Sequence, residues 1–171
     1  PDGYTIAFAS QGTLVFNLTL GNTRTYTNGA LLNVPGSLFV PSAGPASQYP
    51  SIINLSGLTG VVRQATLSLR NLSHTWPADV GVLLVSPTGQ KAVLMANAGG
   101  GNAISNVTVN FDDFGALGLP EQSLIISTTY RPANHPPGVV FPVPAPAGPY
   151  GTNLATFNGF NPNGDWQLYV M

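Results

Sequence analysis

Apolar and polar positions alternate with period two along most of this chain. Tyr4, Ile6 and Phe8 alternate with Thr5 and Ala7. After Gln11-Gly12, Leu14, Phe16, Leu18 and Leu20 alternate with Val15, Asn17 and Thr19. One greasy face per run is the signature of half-buried strands. A shorter run, Ala30 to Val34, stops at Pro35-Gly36, and Ser37 to Val40 is a further short candidate. Ser51 to Leu55 and Val61 to Leu69 follow. In the second, Ala65, Leu67 and Leu69 are expected to face a core, with Gln64, Thr66, Ser68 and Arg70 facing out.

The centre of the chain, His74 to Met95, has a different pattern. Val80 to Val85 is apolar on both faces apart from Gly81, as expected of a strand buried on both sides. Ser86-Pro87-Thr88-Gly89 supplies a turn, and Ala92 to Ala96 returns as the partner strand. Val107, Val109 and Phe111 form another alternating strand, Leu124 to Thr128 a weaker one, and Asn153 to Phe157 one helical turn or short strand. Asp165 to Met171 closes the pattern with Trp166, Leu168 and Val170 on one face. Arg131 to Tyr150 is rich in proline, which donates no ladder bond, so it is expected to cover a surface or edge as extended chain. No long stretch has a helical period. The expectation is an all-β chain, an antiparallel β-sandwich or jelly roll with an extra N-terminal strand segment.

Composition narrows the function classes. The 171 residues suit one domain. The chain has no cysteine, so neither disulfides nor thiolate chemistry enters. Only 6% of residues are charged, against roughly 25% in ordinary soluble proteins. Asn, Thr, Ser, Gly and Pro supply the polarity, a balance that suits a surface packed against other surfaces. A net charge of −1 with scattered basic residues gives no nucleic-acid footprint, and no apolar run is long enough for a membrane span. Pro1 follows no initiator Met or signal pattern, so the sequence reads as a processed or excised segment. Sequons at Asn17, Asn54, Asn71 and Asn106 are candidate N-glycosylation sites, and the whole composition points to an extracellular location.

Chemically reactive residues are sparse. There are two histidines and six carboxylates, with no Gly-x-Ser-x-Gly and no His-Glu-x-x-His. The expectation is a chain that is not an enzyme, with His74 a structural hydrogen-bonder and His135 exposed. Asp79, Asp112, Asp113 and Asn97 are a candidate calcium set if two strand ends meet at one rim; the same residue types also cap turns. Asn97 to Asn102 is glycine-rich but lacks the Lys and helix of a phosphate-binding loop. Trp76 and Tyr150 are candidate contacts to a cell-surface glycan, and Trp166 is expected in the core.

Several motifs fall in a familiar order. His74-Thr75-Trp76-Pro77, Asp79-Val80 and Leu83-Leu84-Val85-Ser86-Pro87-Thr88-Gly89 resemble the P domain, or Homo B domain, of proprotein convertases, and more nearly the P-domain-like modules of secreted bacterial proteins. Ala98-Gly99-Gly100, Phe111-Asp112-Asp113, Tyr130-Arg131-Pro132, Phe157-Asn158-Gly159 and Asn161-Pro162-Asn163-Gly164-x-Trp166-x-Leu168-x-Val170 follow in the same order. The resemblance covers roughly Ser37 to Val170. It implies a jelly roll without catalysis of its own, accompanying a protease or a surface protein. The chain departs from the family at Ala78, Gly81 and Asn97, where acidic residues are frequent, which weakens a calcium set. Family members also continue past the Trp166 strand into one further strand, whereas this sequence stops at Met171.

A sandwich lacking a strand leaves backbone groups unpaired, each costing about 1–3 kcal/mol when buried. Residues 1–36 are strand-like and stand outside the resemblance, so they are a candidate donor for residues 37–171. Donation within one chain gives a closed monomer; donation to a neighbour gives assembly of copies of the chain, open-ended if head to tail. The interface expected for assembly comprises Ile6, Phe8, Leu14, Phe16, Leu18, Leu20, Trp166, Leu168 and Val170. The competing expectation is an accessory or binding module of a secreted protein.

Overall fold

The computed structural model describes residues 2–10, 12–20 and 23–31 as strands with their pairing, and residues 44–46 and 48–171 in full. In chain order the strands are β1 (Asp2–Ser10), β2 (Gly12–Leu20), β3 (Thr23–Leu31), β4 (Ser51–Leu55), β5 (Gln64–His74) and β6 (Val82–Val85). They continue as β7 (Lys91–Ala96), β8 (Ile104–Phe111), β9 (Leu117–Gly118), β10 (Thr128–Arg131), β11 (Ala133–Asn134) and β12 (Gly164–Val170). Two short 3-10 turns, Pro77–Asp79 and Leu154–Phe157, are the only helical pieces among the described residues. The strand expected at Ser37 to Val40, and the part of the Ala30 to Val34 run beyond Leu31, lie outside the described residues.

The strands form two sheets. One has the order β1-β3-β2-β5-β8-β10-β9 with an additional β1–β2 pairing; the other is β11-β7-β6-β12-β4. Both are mixed, which corrects the purely antiparallel expectation: β10 runs parallel to β8 and β9, β11 parallel to β7, and β3 parallel to β1. The cause lies in the connections: residues 112–127 separate β10 from its partner β8, and residues 97–132 separate β11 from its partner β7, and parallel strands need such long crossings, since a tight turn can only join antiparallel ones.

One core lies between the sheets. Ala65, Leu67 and Leu69 of β5 and Phe111 of β8 meet Leu84 of β6 and Trp166, Leu168 and Val170 of β12. The period-two pattern places these side chains on one face. A second core lies on the opposite face of the β6 sheet. There Leu83, Val85, Val93 and Tyr169 are covered by Phe141 and Ala145 from the proline-rich segment, with Tyr49 and Tyr150 packed alongside. This cover explains why Val82 to Val85 is buried on both faces. Burying each such side chain contributes about 1.5–3 kcal/mol. The cover is pinned by Val93 N–H donating to Gly151 O at 2.8 Å and by Tyr49 Oη donating to Pro142 O at 3.0 Å.

The β6–β7 turn is held by Ser86. Its N–H donates to Gln90 O at 2.9 Å, and its Oγ accepts from Gln90 N–H at 3.1 Å. Gly89 takes φ +88°, a conformation that glycine adopts without a Cβ penalty. The strand expected over Leu124 to Thr128 is displaced to Thr128–Arg131. Of the apolar run before it only Ile125 is buried, while Leu124 and Ile126 are half exposed. A single inward side chain gives that run no alternating face to pair.

Candidate functional site

The N-terminal segment joins the body through one ladder. β2 runs antiparallel to β5, with Leu14 opposite Leu69, Val15 opposite Ser68, Asn17 opposite Thr66, Leu18 opposite Ala65 and Thr19 opposite Gln64. β1 pairs with β2 along its whole length, from Asp2 opposite Leu20 to Ser10 opposite Gly12. β5 is therefore flanked by β2 on one side and by β8 on the other. The pairing described is within one chain. Ile6, Phe8, Leu14, Phe16, Leu18 and Leu20 hold defined register positions in this ribbon; the packing expected of their side chains lies outside the described residues, as does the side chain of Asn17.

Trp166, Leu168 and Val170 need a correction as interface residues. They are 1%, 0% and 3% exposed, inside the chain's own core, and β12 is paired on both sides, with β4 and β6. Trp166 Nε1 donates to Pro162 O at 2.8 Å, and its ring meets Phe157 edge-on at 5.3 Å. Trp166 lies in the core, as its pattern led one to expect, and the alternation of the three residues is that of a central strand facing the opposite sheet.

The candidate calcium residues are not assembled as a set. Leu67 pairs with Phe111 and His74 with Ile104, so Asp112 and Asp79 lie beyond opposite ends of the β5–β8 pair. The intervening strand is about 23 Å long at 3.3 Å per residue. Asp112 Oδ1 accepts from Phe114 N–H at 2.9 Å, and both its oxygens accept from Gln64 Nε2 at 3.3 Å. Asp113 accepts from the N–H groups of Leu154 at 2.9 Å and Ala155 at 2.8 Å, capping that 3-10 turn together with Asn153. Asn97, at φ +51°, donates through Nδ2 to His135 O at 2.8 Å. Among the described residues no three His, Asp or Glu side chains come close enough to hold a metal ion.

Three sequons fall on described side chains. Asn71 and Asn106 are exposed and take φ +55° and +53° where the β5–β8 register shifts. Asn106 N–H donates to Ser73 Oγ at 2.9 Å, so the two bulges stand side by side. Asn54 Nδ2 donates to Asp165 Oδ1 at 2.7 Å across the β4–β12 pair.

Trp76 and Tyr150 do not share a platform. Tyr150 stands at the start of β7, its ring 5.6 Å from Lys91 Nζ and its hydroxyl donating to Pro146 O at 2.8 Å. Trp76 stands near the other end of β7, whose six residues span about 20 Å. It is 55% exposed. Its ring lies on Gly101, where a Cβ would come within 2.7 Å of Cη2. His74 acts as the structural hydrogen-bonder expected, its Nδ1 accepting from Trp76 N–H at 3.1 Å. His135 is not simply exposed; its ring Nε2 lies 2.9 Å from Leu119 O.

The loops around Trp76 are knitted together by contacts that motif reading missed. Ala78 N–H donates to Gly100 O at 3.3 Å, and Gly99 N–H donates to Pro120 O at 2.8 Å. Asn102 Nδ2 donates to Gly99 O at 2.8 Å and to Gln122 O at 2.7 Å. The signal available in the sequence was the Gly99-Gly100-Gly101 run, which admits close approach of neighbouring chain. Comparison with known protein families, characterised proteins and solved structures found no match.

Proposed function

We propose that this chain is a non-enzymatic extracellular structural subunit that self-associates by exchanging its N-terminal ribbon between copies. The body is read as a P-domain-like jelly roll to which β2 adds a strand alongside β5. The observation that supports this is the β2–β5 ladder, which runs from Leu14 opposite Leu69 to Thr19 opposite Gln64 and is the ribbon's main attachment to the body. The same ladder forms equally well between two copies, because a strand pairs through backbone groups that every copy carries. Residues 32–45 lie between β3 and Ala46, whose N–H donates to Val170 O at 2.8 Å, and a segment of that length reaches about 45 Å when extended. Exchange in a head-to-tail sense builds a filament; mutual exchange builds a dimer. A chain with only 6% charged residues lets copies pack with little repulsion.

A cysteine pair tests the proposal. The chain has no cysteine of its own. Asn17→Cys with Thr66→Cys places two thiols at paired positions, where Cα atoms about 4.5–5.5 Å apart lie within disulfide range. After oxidation, a ladder of linked multiples on a non-reducing gel, with filaments or dimers in the electron microscope, is the expected result. Internally linked monomer alone, at every protein concentration, overturns it.

A second reading, a binding module of a secreted or cell-surface protein, is favoured by one observation: the half-exposed Trp76 seated on Gly101.

A further inference from the structure

From the surroundings of Trp76 we infer that it is the stacking platform of a binding site for a neutral glycan. The inference rests on the binding-module reading and is independent of ribbon exchange. The ring has one side seated on the bare backbone of Gly101, where even a methyl group would collide at 2.7 Å, and it remains 55% exposed. An indole held this way presents a flat apolar surface to solvent, the complement of the C–H face of a pyranose ring.

The floor is fixed before any ligand arrives. Asn102 ties the glycine loop to Gln122, and Gly100 O accepts from Ala78 N–H beside the tryptophan. Preorganised loops lose little entropy on binding. Polar groups able to meet sugar hydroxyls contact the residues that frame the ring. Gln122 is exposed and packs over Gly100, the residue beside Gly101: its Oε1 would lie 2.9 Å from a Cβ there. His74, whose Nδ1 accepts from Trp76 N–H, carries its proton on Nε2 in the neutral ring and offers a donor.

The charge pattern selects the ligand class. Residues 74–79, 97–103 and 120–126 contain no Lys or Arg, while Asp79 and Glu121 are acidic. A uronic acid or sulfated sugar would meet carboxylates with no countercharge, so the site fits uncharged pyranosides.

The test uses the full chain and hexameric cello-, xylo-, manno-, malto- and chito-oligosaccharides, with oligogalacturonate as the charged comparison. Tryptophan emission is the readout, because Trp76 is exposed and Trp166 is buried. At least one neutral series is expected to shift the emission and protect it from acrylamide quenching at millimolar sugar. Trp76→Ala should weaken binding by at least about tenfold, measured by calorimetry, with unchanged thermal unfolding and unchanged assembly. Gly101→Val, which displaces the ring without removing it, should weaken binding in the same direction. Binding that survives Trp76→Ala overturns the site while leaving the binding-module reading standing. Preference for oligogalacturonate overturns the neutral class. No binding of any sugar overturns the inference, and with it the glycan form of the binding-module reading.

Discussion

Replacing Trp166 with Phe separates a core residue from an interface residue. Trp166 is 1% exposed, its Nε1 donates to the carbonyl of the buried Pro162, and its ring meets Phe157 edge-on. Phe removes the donor and strands that carbonyl, at a cost of about 1–3 kcal/mol. The smaller ring also leaves a void, a fraction of the 3–5 kcal/mol typical of a buried Trp→Ala change, taken as about 1 kcal/mol. The expected loss is therefore about 2–4 kcal/mol. With a urea m-value of about 2 kcal/mol/M, the unfolding midpoint falls by about 1–2 M. The assay is equilibrium urea unfolding followed by far-UV circular dichroism, which does not depend on the deleted fluorophore. A separate cycle of Trp166→Leu with Phe157→Leu, in which neither replacement keeps a ring, should give a coupling of about 0.5–1.5 kcal/mol from the edge-on contact. A midpoint unchanged within error, combined with altered assembly, would refute the core assignment and return Trp166 to the interface.

Two further outcomes follow from the geometry. Gly164 holds φ +118°, and a Cβ there would lie 2.7 Å from Pro87 Cβ, whereas Gly159 holds φ +84° with open space around it. Gly164→Ala should therefore lower the melting temperature more than Gly159→Ala, by a margin corresponding to about 1–3 kcal/mol; equal effects would show that β12 does not press on the β6–β7 turn. Burial first, then the neighbouring Tyr150 and Tyr169, push the Tyr49 hydroxyl from 10.0 up to about 12. The folded chain thus keeps a proton that the unfolded chain releases, so this contribution is full below pH 10 and is lost as pH rises toward 12. Urea titrations at stepped alkaline pH should show that decline in the parent chain and a shallower one in Tyr49→Phe.

The sequence made the central hairpin legible because its turn chemistry and burial agree: Pro87 and Gly89 mark the turn, and both faces of Val82 to Val85 are apolar and covered. The role of the proline-rich segment as a cover was also readable, since proline can lie on a sheet without joining it. Other features were not. β5 extends to His74 through Asn71 at φ +55°, and a bulge breaks the alternation by which strands are recognised. The parallel placement of β10 and β11 depends on contacts far along the chain, to Val109 and Met95, which local pattern does not encode. The acidic pair Asp112-Asp113 looked equally suited to a cation or to turn capping, and only the N–H donors of Phe114, Leu154 and Ala155 distinguish the two. Trp76 was legible as an aromatic residue in a polar corner, but its glycine floor is formed by residues 25 positions away that the fold brings underneath.

The position of β12 between β4 and β6 governs the order of events in folding. Asn54 and Asp165, which face each other across β4 and β12, are 111 residues apart. By loop-closure entropy alone, drawing such ends together costs about 3 kcal/mol more than closing the β6–β7 turn. The hairpin can nucleate early, but the strand that clasps its neighbour must return from far away. A chain with so distant a clasp commits to its native state slowly. Where that contact forms after the rate-limiting step, opening is slow as well, and the module persists by kinetics as much as by equilibrium.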